Sequence, residues 1–244
     1  MAAIELTAPR IIVIEDDRRR QYQFTVARIA KKQWLRYFEG IVSTSENQDG
    51  KRLDSFDSSA ARLELAEQVL ADAKGYKSEK PVTEIAGWQK LLPLSHRLGV
   101  ANALIDVRRS DKAGDDDEPI RLGDESITLD AVWGADESGV MRKYHGLRHN
   151  FQTPSAEHQR RFSRDASRSV IVGGSRSGKT RWLGAQATLI ELYDELIQSV
   201  DGYTVSGAMP DRAAIVEYMD AYHKVAAADQ LFSPAAPKLS EEEQ

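Results

Sequence analysis

Apolar residues in this chain fall into two rhythms. Leu189, Leu192, Tyr193, Leu196, Ile197 and Val200 recur at three- and four-residue steps, which is one face of an α-helix. Leu63, Ala66, Val69, Leu70 and Ala73 repeat the pattern earlier in the chain. Each run ends at a glycine, Gly75 or Gly202, where a left-handed helix cap costs least. Residues 10–15 (RIIVIE) and 22–29 (YQFTVARI) are rich in β-branched and aromatic side chains, so they predict strands joined by a charged turn. Residues 126–133 and 143–151, joined by 134–140, predict a second such pair. Short helices are expected over residues 31–39 and 155–165, the latter behind the start signal Thr153-Pro154-Ser155. Further helices carry Trp88, Leu91 and Leu92 in one half and Ile215, Tyr218, Met219 and Tyr222 in the other.

The two halves align without a gap when the chain is shifted by 127 residues, residues 60–105 falling on 187–232. Ala60, Glu64, Leu65, Gly75, Tyr76, Ala86, His96, Ala101 and Leu104 recur identically in the second stretch. Composition alone would supply roughly three such matches. Internal self-similarity at a constant offset marks a repeated structural unit. Strands precede helices in each half rather than alternating with them, which favours an α+β fold over a doubly wound parallel sheet. The expected architecture is α+β, a tandem duplication of a β-hairpin plus three-helix unit. Residues 1–107 would form the first repeat, 108–118 an acidic linker, 119–232 the second repeat and 233–244 an acidic, mobile tail.

Composition narrows the function. The 244 residues carry 33 Lys+Arg against 38 Asp+Glu, a net charge of −5, and 41% are hydrophobic, enough to bury a core. Without cysteine there is no disulfide framework, thiolate zinc site or thiol nucleophile. The first residues lack a basic stretch followed by a long apolar run, and no segment approaches 18 consecutive apolar residues. The expected location is the cytoplasm or a virion, with no signal peptide and no membrane partner.

Residues 170–180 (VIVGGSRSGKT) fit G-x-x-x-x-G-K-[ST]. In such a loop glycine amides curl around phosphates, the lysine reaches the outer phosphates and the Thr hydroxyl holds Mg²⁺. The segment resembles the Walker A loop of P-loop NTPases, and GGSRSGKT is similar to the ATPase of phage terminase large subunits. That resemblance, about 11 residues long, implies phosphate contacts from Gly173, Gly178 and Lys179 and a metal contact from Thr180, with ATP and Mg²⁺ as cofactors. It also implies a strand ahead of the loop, which the apolar residues 170–172 would supply. Against it, no apolar strand ending in Asp follows, and residues 43–55 (STSENQDGKRLDS), over which the repeat places it, read as a polar loop without the motif. The alternative is a Gly/Ser-rich loop entering a helix, with no cofactor.

Residues 142–181 are basic in a chain that is acidic overall. Arg160, Arg161, Arg164 and Arg168 are the candidate polyanion contacts, and phosphate binding through them would weaken steeply with salt. The same face could instead dock on an acidic protein neighbour. His145 and His149 could share a strand face, but no carboxylate pattern completes a metal set. His96 and His223, repeat equivalents on an apolar helix, read as packing or interface residues. No catalytic or metal-binding constellation is expected. These readings favour a non-enzymatic structural or assembly subunit. It would be an oligomer with copies of itself or other subunits, and the terminase-like segment points to a bacteriophage particle (capsid decoration or tail). A P-loop ATP-binding protein and a nucleic-acid binder are the alternatives.

Overall fold

A computed structural model describes residues 3–16, 19–46, 52–56, 58–109, 122–171 and 176–233, with side chains at 42–57, 107–121 and 166–185 excluded. Most of the expected acidic linker and nearly all of the tail lie outside the described residues. The N-terminal unit runs β1 (Ile4–Glu5), β2 (Arg10–Glu15), β3 (Gln21–Val26), α1 (Lys31–Ile41), a hairpin β4 (Val42–Glu46) and β5 (Arg52–Phe56), α2 (Ser58–Val69), β6 (Leu70–Lys74), α3 (Trp88–Leu91) and α4 (Leu94–Ile105). Strand β7 (Val107–Arg109) leads into the C-terminal unit. That unit comprises β8 (Asp124–Ala135), β9 (Met141–Tyr144), β10 (Leu147–Gln152), α5 (Ala156–Ile171), α6 (Arg176–Leu196), β11 (Ile197–Asp201), β12 (Tyr203–Thr204), α7 (Arg212–Tyr218) and α8 (Ala221–Phe232). The fold is α+β, each unit laying its helices against a small antiparallel sheet.

Period-two alternation sets the buried face of the central strands. Tyr22, Phe24 and Val26 point into one core, and Leu147, His149 and Phe151 into the other. Trp34, Tyr37 and Phe38 form the buried stripe of α1, at the three- and four-residue spacing a helix requires.

The correspondence between the halves extends to hydrogen-bond register. Strand order is β2-β3-β6 in one sheet and includes β8-β10-β11 in the other. β3 pairs with β6 through Phe24–Ala73 and Val26–Leu70, with a register shift between Thr25 and Val26. β10 pairs with β11 through His149–Val200 and Phe151–Ile197, with a shift at the equivalent step between Asn150 and Phe151. Helices α2 and α6 end at Val69 and Leu196, and α4 and α8 span Leu94–Ile105 and Ala221–Phe232, all at the 127-residue offset.

Several expectations need correction. Each unit carries four described α-helices and not three, and the strand expected over residues 143–151 is divided into β9 and β10. Each unit contains a third sheet strand, β6 or β11, where the apolar rhythm predicts a helix running to the glycine. The bulge is the cause. An extra residue opposite one partner lets Leu70 and Ala73, three apart, face the same core, as Ile197 and Val200 do. Gly75 and Gly202 therefore end strands, not helices, at φ of 98° and 86°. A Cβ at Gly75 would lie 2.8 Å from the Gln21 carbonyl oxygen, and one at Gly202 2.5 Å from Leu147 Cδ2, so both positive φ and close packing demand glycine. Further strands were not foreseen: β1 crosses to pair in parallel with β12, β4 and β5 pair within the stretch expected to be a polar loop, and β7 pairs with β8.

Candidate functional site at the seam between the units

The polar residues of each unit are arranged as equivalent pairs. Arg36 faces Glu64 at 3.9 Å, and Arg161 faces Glu191 at 3.4 Å. Arg97 binds Glu67 at 2.7 Å, and Lys224 binds Asp194 at 2.6 Å. Tyr76 Oη lies 2.5 Å from His96 Nδ1, and Tyr203 Oη 3.3 Å from His223 Nδ1. The last pair joins helix α4 or α8 to the residue just past the positive-φ glycine.

The C-terminal unit extends its Tyr–His pair into a buried chain. His149 stands where the other unit has Phe24. Its Nε2 is 3.0 Å from Tyr203 Oη and its Nδ1 is 2.9 Å from Tyr193 Oη. Tyr193 replaces Ala66, so a small-plus-phenyl pair in one core becomes a phenol-plus-imidazole pair in the other. His223 also faces the backbone carbonyl of Trp133. A carbonyl only accepts, which sets one direction for the chain. His223 donates to Trp133, Tyr203 donates to His223, His149 donates to Tyr203, and Tyr193 donates to His149. Every member is then satisfied while neutral. Burial, reinforced by the neighbouring His223, pushes the His149 pKa down to about 3. Burial lowers His223 and His96 as well, and it drives the Tyr193 and Tyr203 hydroxyls well above their ordinary values.

Between the units lies a seam of mixed chemistry. Tyr222 of α8 sits over α1, its ring 5.4 Å from Trp34 and 6.1 Å from Phe38. The Arg28 guanidinium lies 4.8 Å from the Tyr218 ring centre and donates to the Glu217 carbonyl. Arg10 Nη2 meets Asp220 Oδ2 at 2.6 Å with both side chains largely buried. The other Asp220 oxygen caps α8 by accepting from the Tyr222 amide at 2.8 Å. Burial pushes the Asp220 carboxyl up, but Arg10, His223 and the Tyr222 amide outweigh it and hold the pKa below the usual value. Arg10, Arg28, Trp34, Tyr218 and Asp220 border a cavity of about 390 Å³ that Lys31, Asp194 and Lys224 also line.

Two backbone contacts complete the seam. Ile11 N donates to the Gly139 carbonyl at 2.5 Å, joining β2 to the turn after β8. On the other side β1 straps across the C-terminal unit, with Ile4 in its core. Glu5 accepts from the Ser206 amide at 2.8 Å and the Gly207 amide at 2.9 Å. Burial raises the Glu5 pKa, but the Thr7 hydroxyl and these turn amides prevail and hold it at about 2.

The residues singled out in the sequence are scattered. Gly173 lies outside the described residues. Gly178, Lys179 and Thr180 fall in the first turns of α6, their side chains outside the description. The segment ahead of them is the helix α5, reaching Ile171, and not the strand a P-loop places there. Arg160, Arg161, Arg164 and Arg168 all sit on α5. Arg160 pairs with Glu157, Arg161 with Glu191 and Glu195, and Arg164 with Asp165; the side chain of Arg168 is outside the description. Arg161 thus serves the unit's own α5–α6 contact, as Arg36 serves α1–α2. His145 bonds Asp130 at 2.8 Å, away from the buried His149, so those two do not share a site. Among the described residues no group of three or more His, Asp or Glu could hold a metal ion, and no helix is long and apolar enough to cross a membrane.

Sequence reasoning missed Arg10, Asp220 and Glu5. No local motif marks any of them, and only the crossing of the two units brings them to their partners. Comparison with family models, curated proteins and solved structures found no match.

Proposed function

We propose that this chain is a structural or assembly subunit, built by tandem duplication of one α+β unit, that works through protein–protein interfaces and not through catalysis. The observation that carries this reading is the seam. Inside one chain, one unit already recognises its counterpart through an aromatic contact, a buried ion pair and a helix cap. The remaining polar investment supports the same reading: the repeated Arg–Glu, acid–base and Tyr–His pairs hold each unit in shape. A bacteriophage particle, as capsid decoration or tail component, is the proposed setting; it rests on the terminase-like residues 173–180 alone. The partners are other protein subunits.

Mass photometry of the purified chain over a wide concentration range tests the proposal. Concentration-dependent oligomers are expected. A monomer at every concentration, joining neither itself nor particle proteins, overturns it. In parallel, millimolar ATP with Mg²⁺ is expected to leave the melting temperature unchanged; stabilisation abolished by Lys179→Ala would favour the nucleotide-binding alternative instead.

A further inference from the structure

We infer that the open counterpart of the internal seam is a docking surface for a second copy of this chain, added head to tail. This inference rests on the assembly reading above and names its partner.

The internal seam is heterologous. The N-terminal unit presents a wall made by the start of β2, residues 28–31 and α1. The C-terminal unit presents the corner between α7 and α8. In a two-fold arrangement the reverse contact would also form, with the α3–α4 corner covering the wall beside α5. It does not. Leu91 and Leu94 at the α3–α4 corner are 72% and 53% exposed. Their counterparts Tyr218 and Ala221 are half-buried at the seam. Among the described residues no helix corner covers the counterpart wall on the C-terminal unit, where a cavity of about 300 Å³ lies between the end of α8 (Gln230 and Leu231) and Glu125, Pro154, Ser155, Ala156 and Gln159. The last five positions match Arg10, Ile29, Ala30, Lys31 and Trp34, all of which line the internal cavity. A heterologous contact leaves one donor face and one acceptor face free at the ends, and repeating it builds a ring or a filament.

The charges at the open faces are swapped relative to the internal seam. Inside the chain the wall carries Arg10, Arg28 and Lys31, while the C-terminal side carries Asp194, Glu217 and Asp220 with one cation, Lys224. On the open faces the wall carries Glu125, where Arg10 would be, and the corner carries exposed Lys90, where Glu217 would be. Helix α4 begins at Pro93 without a side-chain cap, whereas α8 has Asp220 there. Glu125 is partly buried, and burial raises its carboxyl pKa. By the register of the internal seam, where Arg10 meets Asp220, Glu125 would face Pro93; Lys90, three residues before Pro93 on the same corner, would supply the cation at that edge, and Leu91 and Leu94 would cover apolar surface. Opposite charge favours this docking, and it disfavours the α7–α8 corner, whose Glu217 and Asp220 would meet Glu125 as like charges.

Charge reversal tests the proposal on the intact chain. Glu125→Lys and Lys90→Glu, each alone, place like charges across the contact and should weaken self-association by at least about tenfold. Mixing the two variants restores opposite charges at every contact and should return assembly to the wild-type level. Both positions lie outside the cores, and thermal melts confirm that each variant is folded. Oligomers that persist unchanged in both single variants refute this seam and leave the assembly reading standing. A wild-type chain that is monomeric throughout overturns both. Loss of assembly in the single variants without rescue on mixing also refutes the pairing of Glu125 with Lys90.

Discussion

Replacing His149 with phenylalanine converts a position of the C-terminal unit into that of the N-terminal unit, where Phe24 stands. The ring is fully buried and makes hydrogen bonds of 2.9 and 3.0 Å to Tyr193 and Tyr203. Two neutral bonds are worth about 1 kcal/mol each, and the Tyr193 hydroxyl, left buried without an acceptor, adds about 1–3 kcal/mol. Phenylalanine returns part of this through apolar burial, so His149→Phe should cost about 2–4 kcal/mol. Tyr203 keeps His223 and is not orphaned. Tyr193→Phe alone strands the His149 acceptor. The double variant removes donor and acceptor together and should be less damaging than the sum of the singles by about 1–2 kcal/mol. Urea denaturation with a common slope for all four proteins measures the cycle. Single-variant costs that add to within about 0.5 kcal/mol would refute the buried chain.

Acid should destabilise the protein through the same histidines. His149 titrates at about 3 when folded, against 6.5 unfolded. Its neutral state therefore stabilises fully above pH 6.5, and that stability is lost as pH falls from 6.5 towards 3, by about 2 kcal/mol at pH 5. Denaturation midpoints against pH should show the decline, and His149→Phe should flatten it. Arg10→Ala should cost about 3 kcal/mol by leaving Asp220 buried without its cation, read as a lower melting temperature, and Asp220→Asn in that background should restore part of the loss. A Cβ at Gly134 would lie 2.4 Å from Ile4 Cδ1. Gly134→Ala should thus displace the β1 strap, cost about 1–3 kcal/mol and speed proteolysis near the N-terminus. Unchanged cleavage would show that the strap is not held there.

The linear pattern of residues determined the α+β class and much of the core. Leu65, Leu92 and Val100 are buried, as are Leu192, Met219 and Ala227 at the 127-residue offset. The offset also paired His96 with His223 and Tyr76 with Tyr203, although not what the pairs do. Strands β6 and β11 were illegible, since a bulge gives an extended segment the three-residue apolar spacing of a helix. Position in the sheet decided their state: each fills the open backbone edge of β3 or β10. The candidate site was illegible for a related reason. Arg10 and Asp220 are 210 residues apart in sequence, and nothing local in either segment refers to the other. The placement of one unit on the next determined which charges became buried pairs and which, like Glu125 and Lys90, stayed at an open face.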